Sequence, residues 1–452
     1  MVLTSRVEPA ELVRSDHEHL IHPLQIASEH AAPTIFVRGE GALLYDIQGN
    51  EYLDGLSCLW NVSAGHGRKE LAEAAAEQMA TLAFASNYVG SANVPAIRLA
   101  EKLSQIAYPK LNAVFFTSGG AESNEAAFKT ARHFWKVRGR PDKVKVISRR
   151  QSYHGVTLAA MSATGLPIYH RAFAPLVPGF ILVDPPYRFR CQRCAGEPAC
   201  NLGCARAIEE AILAEGPETV AAVIGEPVQG AGGVIPPPEG YWPAVREICD
   251  RYEVLLIADE VITGFGRTGR WFALEHWGVQ PDIMSFAKAV TSGYLPLGGI
   301  MVSDEIRDTI NNAPPELRYM HAYTYSGHPT CCAVGLKNLE IFERERLVER
   351  AAVLGKRLLD GLRALEALPH VGEVRGLGMM AAVELVESKE PRRWFDPARQ
   401  VGARVIAEAK QRGLWTRFVG DVVCLAPPLV ATEAQIDRIV AILGEAIPAA
   451  TR

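Results

Sequence analysis

Between about Val94 and Gly299, short apolar runs alternate with stretches of helical periodicity. No other feature of the chain limits its fold as tightly. The runs at 113–116, 144–147, 179–183, 220–224 and 254–258 are of strand length, and the segments between them are long enough for helices. Strands separated by helices pair largely in parallel, which gives an α/β domain with helices over the faces of its sheet. A sheet of this kind holds its ligand at the carboxyl ends of its strands. Polar residues just past the apolar runs are therefore the first candidates for chemistry.

The chain has 452 residues, and the length points to more than one domain. Ahead of the alternating region, residues 42–54 read as two strands about a Gly49-Asn50 turn, followed by a helix over 69–81. After it come a long helix over 330–345, a strand through 376–385 that begins in Gly376-Leu377-Gly378, a helix around 397–412 and a terminal helix over 433–447. We read residues 81–329 as a large domain. Residues 1–80 and 330–452 then form a smaller α/β domain built from both chain ends. Hydrophobic content of 48% and charged content of 22% are ordinary for a globular protein. A net charge of −4 gives no basis for a nucleic-acid or membrane-surface partner, and no apolar run is long enough to span a bilayer. Glu8, Glu11, Asp16 and Glu18 interrupt the first 23 residues, which lack the apolar core of a secretory signal, so the cytoplasm is the expected compartment. Nine cysteines, an odd number in so long a chain, do not make a disulfide framework.

Three strand ends carry chemistry. The run Ile283-Met284-Ser285-Phe286-Ala287 delivers Lys288 to a glycine-rich loop, and Leu255-Leu256-Ile257-Ala258 delivers Asp259. A lysine for a Schiff base and an aspartate for a pyridinium nitrogen are the two groups that pyridoxal 5'-phosphate (PLP) asks of a protein. After Val114-Phe115-Phe116 comes Thr117-Ser118-Gly119-Gly120-Ala121-Glu122, where glycines let the backbone turn and a helix begins. Free N–H groups and the helix dipole favour a phosphate there. Each feature has a plain alternative: a surface lysine, a capping acid, and a strand–turn–helix junction capped by Ser118. The loop is neither a dinucleotide fingerprint nor a P-loop, which disfavours an NAD-dependent dehydrogenase.

Taken together, the motifs resemble the class III aminotransferases, PLP enzymes of fold type I, and more narrowly the amine–pyruvate group known as ω-transaminases. The resemblance rests on Leu59-Trp60, the 117–125 turn, Ser152-Tyr153-His154-Gly155, Gly225-Glu226-Pro227, Asp259-Glu260-Val261 with Gly264-Phe265-Gly266-Arg267, Lys288 placed 29 positions after Asp259, Thr324-Tyr325-Ser326-Gly327-His328-Pro329, and Arg417. It covers nearly the whole chain. It implies a large domain with a mostly parallel seven-stranded sheet and a smaller α/β domain. Lys288 would bind PLP covalently and later shuttle a proton, and Asp259 would pair with the ring nitrogen. Gly120 and Ala121 would offer backbone N–H groups to the phosphate. Relatives often carry serine at the position of Ala121, so one hydroxyl is lost there. Val261 and Tyr153 would pack on the two ring faces, with Glu226 supporting the ring region. Thr324 would reach the phosphate of a neighbouring subunit, which implies a homodimer or a tetramer with shared sites. Trp60, Tyr88, Tyr153, Ala231 and Ile262 would line the substrate pocket. Arg417 would clamp a substrate carboxylate and swing away from amines that lack one. The implied reaction moves an amino group from an amine or ω-amino acid to a keto acid, pyruvate above all, by ping-pong half-reactions.

Cys191, Cys194, Cys200 and Cys204 fall within 14 positions as Cys-x₂-Cys-x₅-Cys-x₃-Cys. Four thiols so close are candidate ligands for zinc or an iron–sulfur cluster, or are simply reduced thiols of a compact loop. Cys58 and the Cys331-Cys332 pair read as packing residues. An aminomutase or racemase on the same scaffold, and a non-catalytic scaffold protein, are the rival readings.

Overall fold

The computed structural model describes residues 8–24, 26, 28, 31–194 and 200–452. Three strands come first, β1 (Phe36–Glu40), β2 (Leu43–Asp46) and β3 (Glu51–Asp54). The central sheet follows with β4 (Leu111–Thr117), β5 (Lys145–Arg149), β6 (Phe180–Val183), β7 (Val220–Gly225), β8 (Leu255–Asp259), β9 (Ile283–Phe286) and β10 (Gly298–Ser303). Its order is β4-β10-β9-β8-β7-β5-β6. Strands β6, β5, β7, β8 and β9 are mutually parallel, and β10 runs antiparallel between β4 and β9. One strand thus departs from the parallel pattern. The carboxyl ends of β4, β8 and β9 still lie along a single edge, because β10 reverses direction against both of its neighbours.

Side chains alternate across this sheet with the two-residue period of a strand. Val146, Ala222, Ile224, Ile257, Ile283 and Ile300 pack on one face against Ala127, Phe128, Ala131, Phe134 and Trp135 of the helix Gly120–Val137. Ile147, Val223, Leu256, Ala258, Met284 and Met301 turn to the opposite face, where they join Tyr241, Trp242 and Val245 of the helix Tyr241–Arg251. Strands β7, β8, β9 and β10 are buried along their whole length, as expected when both faces are covered. Each fully buried Ile, Val or Leu contributes about 1.5–3 kcal/mol, so the sheet centre is a rigid platform for whatever its edge carries.

The chain ends build two further sheets. Strands β11 (Val371–Leu377) and β12 (Met380–Leu385) form a hairpin, a short pair β13 (Ser388–Lys389) and β14 (Arg392–Arg393) follows, and then come β15 (Leu414–Trp415), β16 (Arg417–Val419) and β17 (Val422–Leu425). β15 lies parallel to β3 and extends the N-terminal sheet, while β11-β12-β17-β16 is antiparallel. The single strand expected at 376–385 is therefore two strands. Gly378, at φ +58°, makes the turn between them, and a Cβ there would lie 2.3 Å from the carbonyl carbon of Thr268. The last helix, Glu433–Thr451, starts in a capping box between Thr432 and Gln435. No helix among the described residues is long and apolar enough to cross a membrane.

Asp282 fixes the start of β9. Its carboxylate accepts from Arg246 Nη1 (2.9 Å), from the Leu256 N–H (2.8 Å) and from Lys110. Burial raises this carboxyl, but Arg246 and Lys110 outweigh burial and hold it below 3.8. A depressed carboxyl stabilises the fold above its unfolded pKa, and that contribution fades as pH falls through the folded value. Asp282→Ala should cost about 1–3 kcal/mol at pH 7 by leaving the Leu256 N–H and one side of the Arg246 guanidinium without an acceptor, while Arg246 keeps Asp250 at 2.7 Å. In urea denaturation series the gap to the parent should narrow once the pH drops below 3.8.

Candidate active site

Asp259 is the last residue of β8 and is buried. Its Oδ2 accepts from His154 Nδ1 at 2.7 Å and from Asn124 Nδ2 at 2.8 Å, and its Oδ1 accepts from the Val261 N–H at 3.1 Å. Burial pushes such a carboxyl up; the His154 bond, its charge and the Asn124 bond outweigh burial and keep Asp259 below the usual value. The group is an anion held in a dry place by three donors. A carboxylate offers roughly four acceptor positions, so one is left for a further N–H.

Lys288 follows β9 by two residues, with a left-handed φ of +49°. Strain of this kind is worth roughly 1–3 kcal/mol and is tolerated where the surroundings over-determine it. Burial draws the Lys288 amine below 10.5. Asp259 and Glu226 pull the other way, and Arg417 adds to the lowering. The four groups therefore share one electrostatic neighbourhood. Glu226 is buried beyond β7 and bridges two backbones, accepting from the Tyr153 N–H (3.0 Å) and the Gly230 N–H (2.7 Å). Burial raises its carboxyl, and Asp259 adds to the rise. Burial also raises the Tyr153 phenol, with Tyr169 adding and Arg417 opposing.

The turn after β4 is an open cradle. Gly119 caps the helix Gly120–Val137 with no side-chain bond, and the Ser118 N–H donates to Glu122 Oε2 at 2.8 Å. Ser118 is thus not the cap that the sequence suggested as the plain alternative. The N–H groups of Gly120 and Ala121, in the first turn, have no intrahelical acceptor. A Cβ at Gly120 would stand 2.7 Å from Val261 Cγ1, so the close approach of Val261 requires glycine there.

On the substrate side, Trp60 (φ +65°) and Ile262 share an apolar cluster with Leu56, Val228, Val234 and Met380. Ala231 is buried nearby in the 230–234 turn. Arg417 opens β16 and is half-buried. Tyr88 departs from expectation: within one chain it lines a 790 Å³ groove with Val89, Phe115, Tyr319, Met320 and Tyr323, and none of Lys288, Asp259 or Arg417 borders that groove. Thr324 lies exposed beside the same groove.

Sequence reasoning held His154, Asn124 and Arg267 as motif positions without assigning them a role, and passed over Arg375. Buried Arg267 donates to Pro427 O (2.6 Å), Ser57 Oγ (2.9 Å), Ser63 Oγ (3.2 Å) and Met379 O (3.2 Å), tying the segment that carries Trp60 to β8's exit loop. Arg375 on β11 donates to Gly233 O (2.7 Å) and Val234 O (2.8 Å), beside Ala231, and to Glu384. For His154 and Asn124 a signal was present: two polar residues flanking the motif positions Tyr153 and Ser123. Cys58 is not simple packing, because its N–H donates to Asp54 and its sulfur lies 3.8 Å from His66 Nε2. Among the described residues, Asp54, Cys58 and His66 form the one trio of possible metal ligands within 4.8 Å of one another. The His66 ring already donates to Asp54 at 2.8 Å, so the trio closes on itself.

The model of the family Aminotransferase class-III matches residues 25–447. This chain is a class III aminotransferase. It is 40% identical over 407 residues to the putrescine–pyruvate aminotransferase of Pseudomonas aeruginosa, a match covering 90% of this chain and 88% of that protein. It is 42% identical over 427 residues to the diaminobutyrate–2-oxoglutarate transaminase of Halomonas elongata, covering 93% and 91%. Its fold superposes on a thermostable (S)-enantioselective ω-transaminase from Thermomicrobium roseum with a TM-score of 0.95 and 47% identity, over 99% of this chain and 100% of that one. The ω-transaminase of Pseudomonas jessenii in complex with PMP gives 0.94 at 39% identity, over 97% and 98%. The aminotransferase is PLP-dependent, and the residues present fit that cofactor. A charged carboxylate stands at one strand end, an amine at the next, and free N–H groups at a third.

His154→Leu should strip Asp259 of one of its three donors and leave the buried anion to Asn124 and the Val261 N–H, at a cost of about 1–3 kcal/mol in thermal denaturation. The same variant should lose PLP on dialysis faster than the parent. His154→Gln, which keeps a donor, should fall between the two.

Proposed function

We propose that the enzyme moves an amino group from an amine or ω-amino acid to pyruvate in two half-reactions at one site. PLP supplies the electron sink for the carbon that loses its proton. Lys288 anchors the cofactor and, once released, carries the proton to and from the reacting carbon. An amine with a lowered pKa suits both tasks, because a larger share of it is unprotonated near neutral pH. Asp259 keeps the ring nitrogen protonated through its own persistent charge. Gly120 and Ala121 receive the phosphate on their N–H groups. Val261 and Tyr153 would hold the ring, and Glu226 fixes the Tyr153 backbone by accepting from its N–H. Arg417 takes the carboxylate of the keto acid in bidentate fashion. Trp60, Ala231 and Ile262 favour apolar donors.

The carrying observation is that the ends of β7, β8 and β9 bring Glu226, Asp259 and Lys288 to one sheet edge, with Arg417 of β16 near enough to act on the Lys288 amine. Pyruvate as acceptor draws support from the name of the Pseudomonas aeruginosa relative. We further propose a homodimer. Val89, Met320 and Tyr325 are exposed around the groove that Tyr88 lines. A second copy would cover this face and bring Thr324 and Tyr88 to the partner's site.

Purified enzyme treated with excess 1-phenylethylamine should lose its visible PLP band, and added pyruvate should restore it. Borohydride reduction followed by digestion should leave the cofactor mass on the peptide that contains Lys288. A band that bleaches but does not return would reject pyruvate as acceptor, and a label on any other lysine would reject the assignment of Lys288.

A further inference from the structure

Beyond β6 the chain enters a segment that amino-group transfer does not use. Cys191, Cys194, Cys200 and Cys204 are all free thiols, and Cys194 and Cys204 are buried. Cys204 is the second residue of the helix Gly203–Glu215. The Cys194 and Cys200 sulfurs stand 3.6 Å apart. Two sulfurs bound to one tetrahedral zinc at about 2.3 Å each would stand about 3.8 Å apart. Cys191 lies within hydrogen-bonding reach of Cys194, and Cys204 is close enough to feel both Cys200 and Cys191.

The Cys194 sulfur also meets Asn201 Oδ1 at 3.3 Å, and the same oxygen accepts from the Gly203 N–H at 2.8 Å, so the loop is tied to the start of the helix that carries Cys204.

The segment is braced on both sides. Arg193 pairs with Asp184 (2.9 Å) and Glu210 (3.1 Å). Arg190 pairs with Glu384 (2.6 Å), which Tyr187 and Arg375 also reach. The same Arg375 holds the carbonyls of Gly233 and Val234 beside the substrate pocket.

We propose that Cys191, Cys194, Cys200 and Cys204 bind one Zn²⁺ as a structural site. The four sulfurs stand wider than a closed tetrahedron, since no three of them lie within 4.8 Å of one another. The ion draws Cys191 and Cys204 inward, and the thiol protons leave as it binds. Zinc suits the site because a closed four-thiolate shell needs neither an electron donor nor an acceptor.

Elemental analysis of the purified, dialysed holoenzyme tests this directly. The expected result is about one zinc per protomer. A mercurial thiol reagent should release that zinc, and Cys194→Ser with Cys200→Ser should abolish it. Should the double variant fold poorly, peptide mapping of parent enzyme alkylated with and without a chelator keeps the test decisive: all four cysteines should be protected until the metal is removed. Zinc-free enzyme would overturn the proposal, as would iron in place of zinc, or a mass lower by two hydrogens from a Cys194–Cys200 disulfide. None of these readings depends on the transfer reaction.

Discussion

The hydrogen bond from His154 Nδ1 to Asp259 Oδ2, 2.7 Å long and closed to solvent, keeps a negative charge where burial alone would remove it. Several other placements lean on this charge. It opposes the loss of charge at Lys288, it adds to the rise at Glu226, and its Oδ1 captures the N–H of Val261. Val261 is thereby set directly against Gly120, close enough that a Cβ there would meet Val261 Cγ1 at 2.7 Å. The sheet supplies the rigidity that makes such a charge tolerable, because strand ends buried on both faces cannot drift to let water in.

Buried arginines bring segments from both chain ends to the site. Arg267 leaves β8's exit loop and is bonded by the 57–63 segment and by Pro427, so Trp60 is positioned by a residue far from it in sequence. Burial brings this guanidinium down to about 10, with Asp54 opposing, which still leaves it charged at neutral pH. Arg375 plays the matching part on the other side, where Gly233 and Val234 turn past the pocket. Each of these cations would be expensive if stranded, so the central sheet and the chain-end segments are coupled by charges that have nowhere else to go.

The large sheet was legible because period-two alternation on both faces leaves apolar runs with few rival readings. Lys288, Asp259 and the Gly119-Gly120 turn were legible because a strand end followed by a special residue is a local pattern. The reversal of β10 was not, since Gly298–Ser303 is as apolar as its parallel neighbours and direction leaves no trace in composition. Nor was the hairpin at Gly378, where the need for glycine comes from the backbone of Thr268, over a hundred residues away. His154 and Asn124 stood in legible motifs, but their bonds to Asp259 were not legible, because that partner is set by tertiary packing. Tyr88, within one chain, lines the 790 Å³ groove, which Lys288, Asp259 and Arg417 do not border.

The reversal of β10 has a mechanical consequence. Eleven residues, 287–297, leave β9 and return to β10 along the same sheet edge, and both strands are hydrogen-bonded to each other from Phe286–Gly299 inward. Lys288 is therefore carried on a strap pinned at both ends rather than on a free crossover loop. Its amine can turn about its own side-chain bonds, but its backbone cannot travel without unzipping two central strands. The reach of the lysine is thus a fixed length, measured from a support as stiff as the core itself.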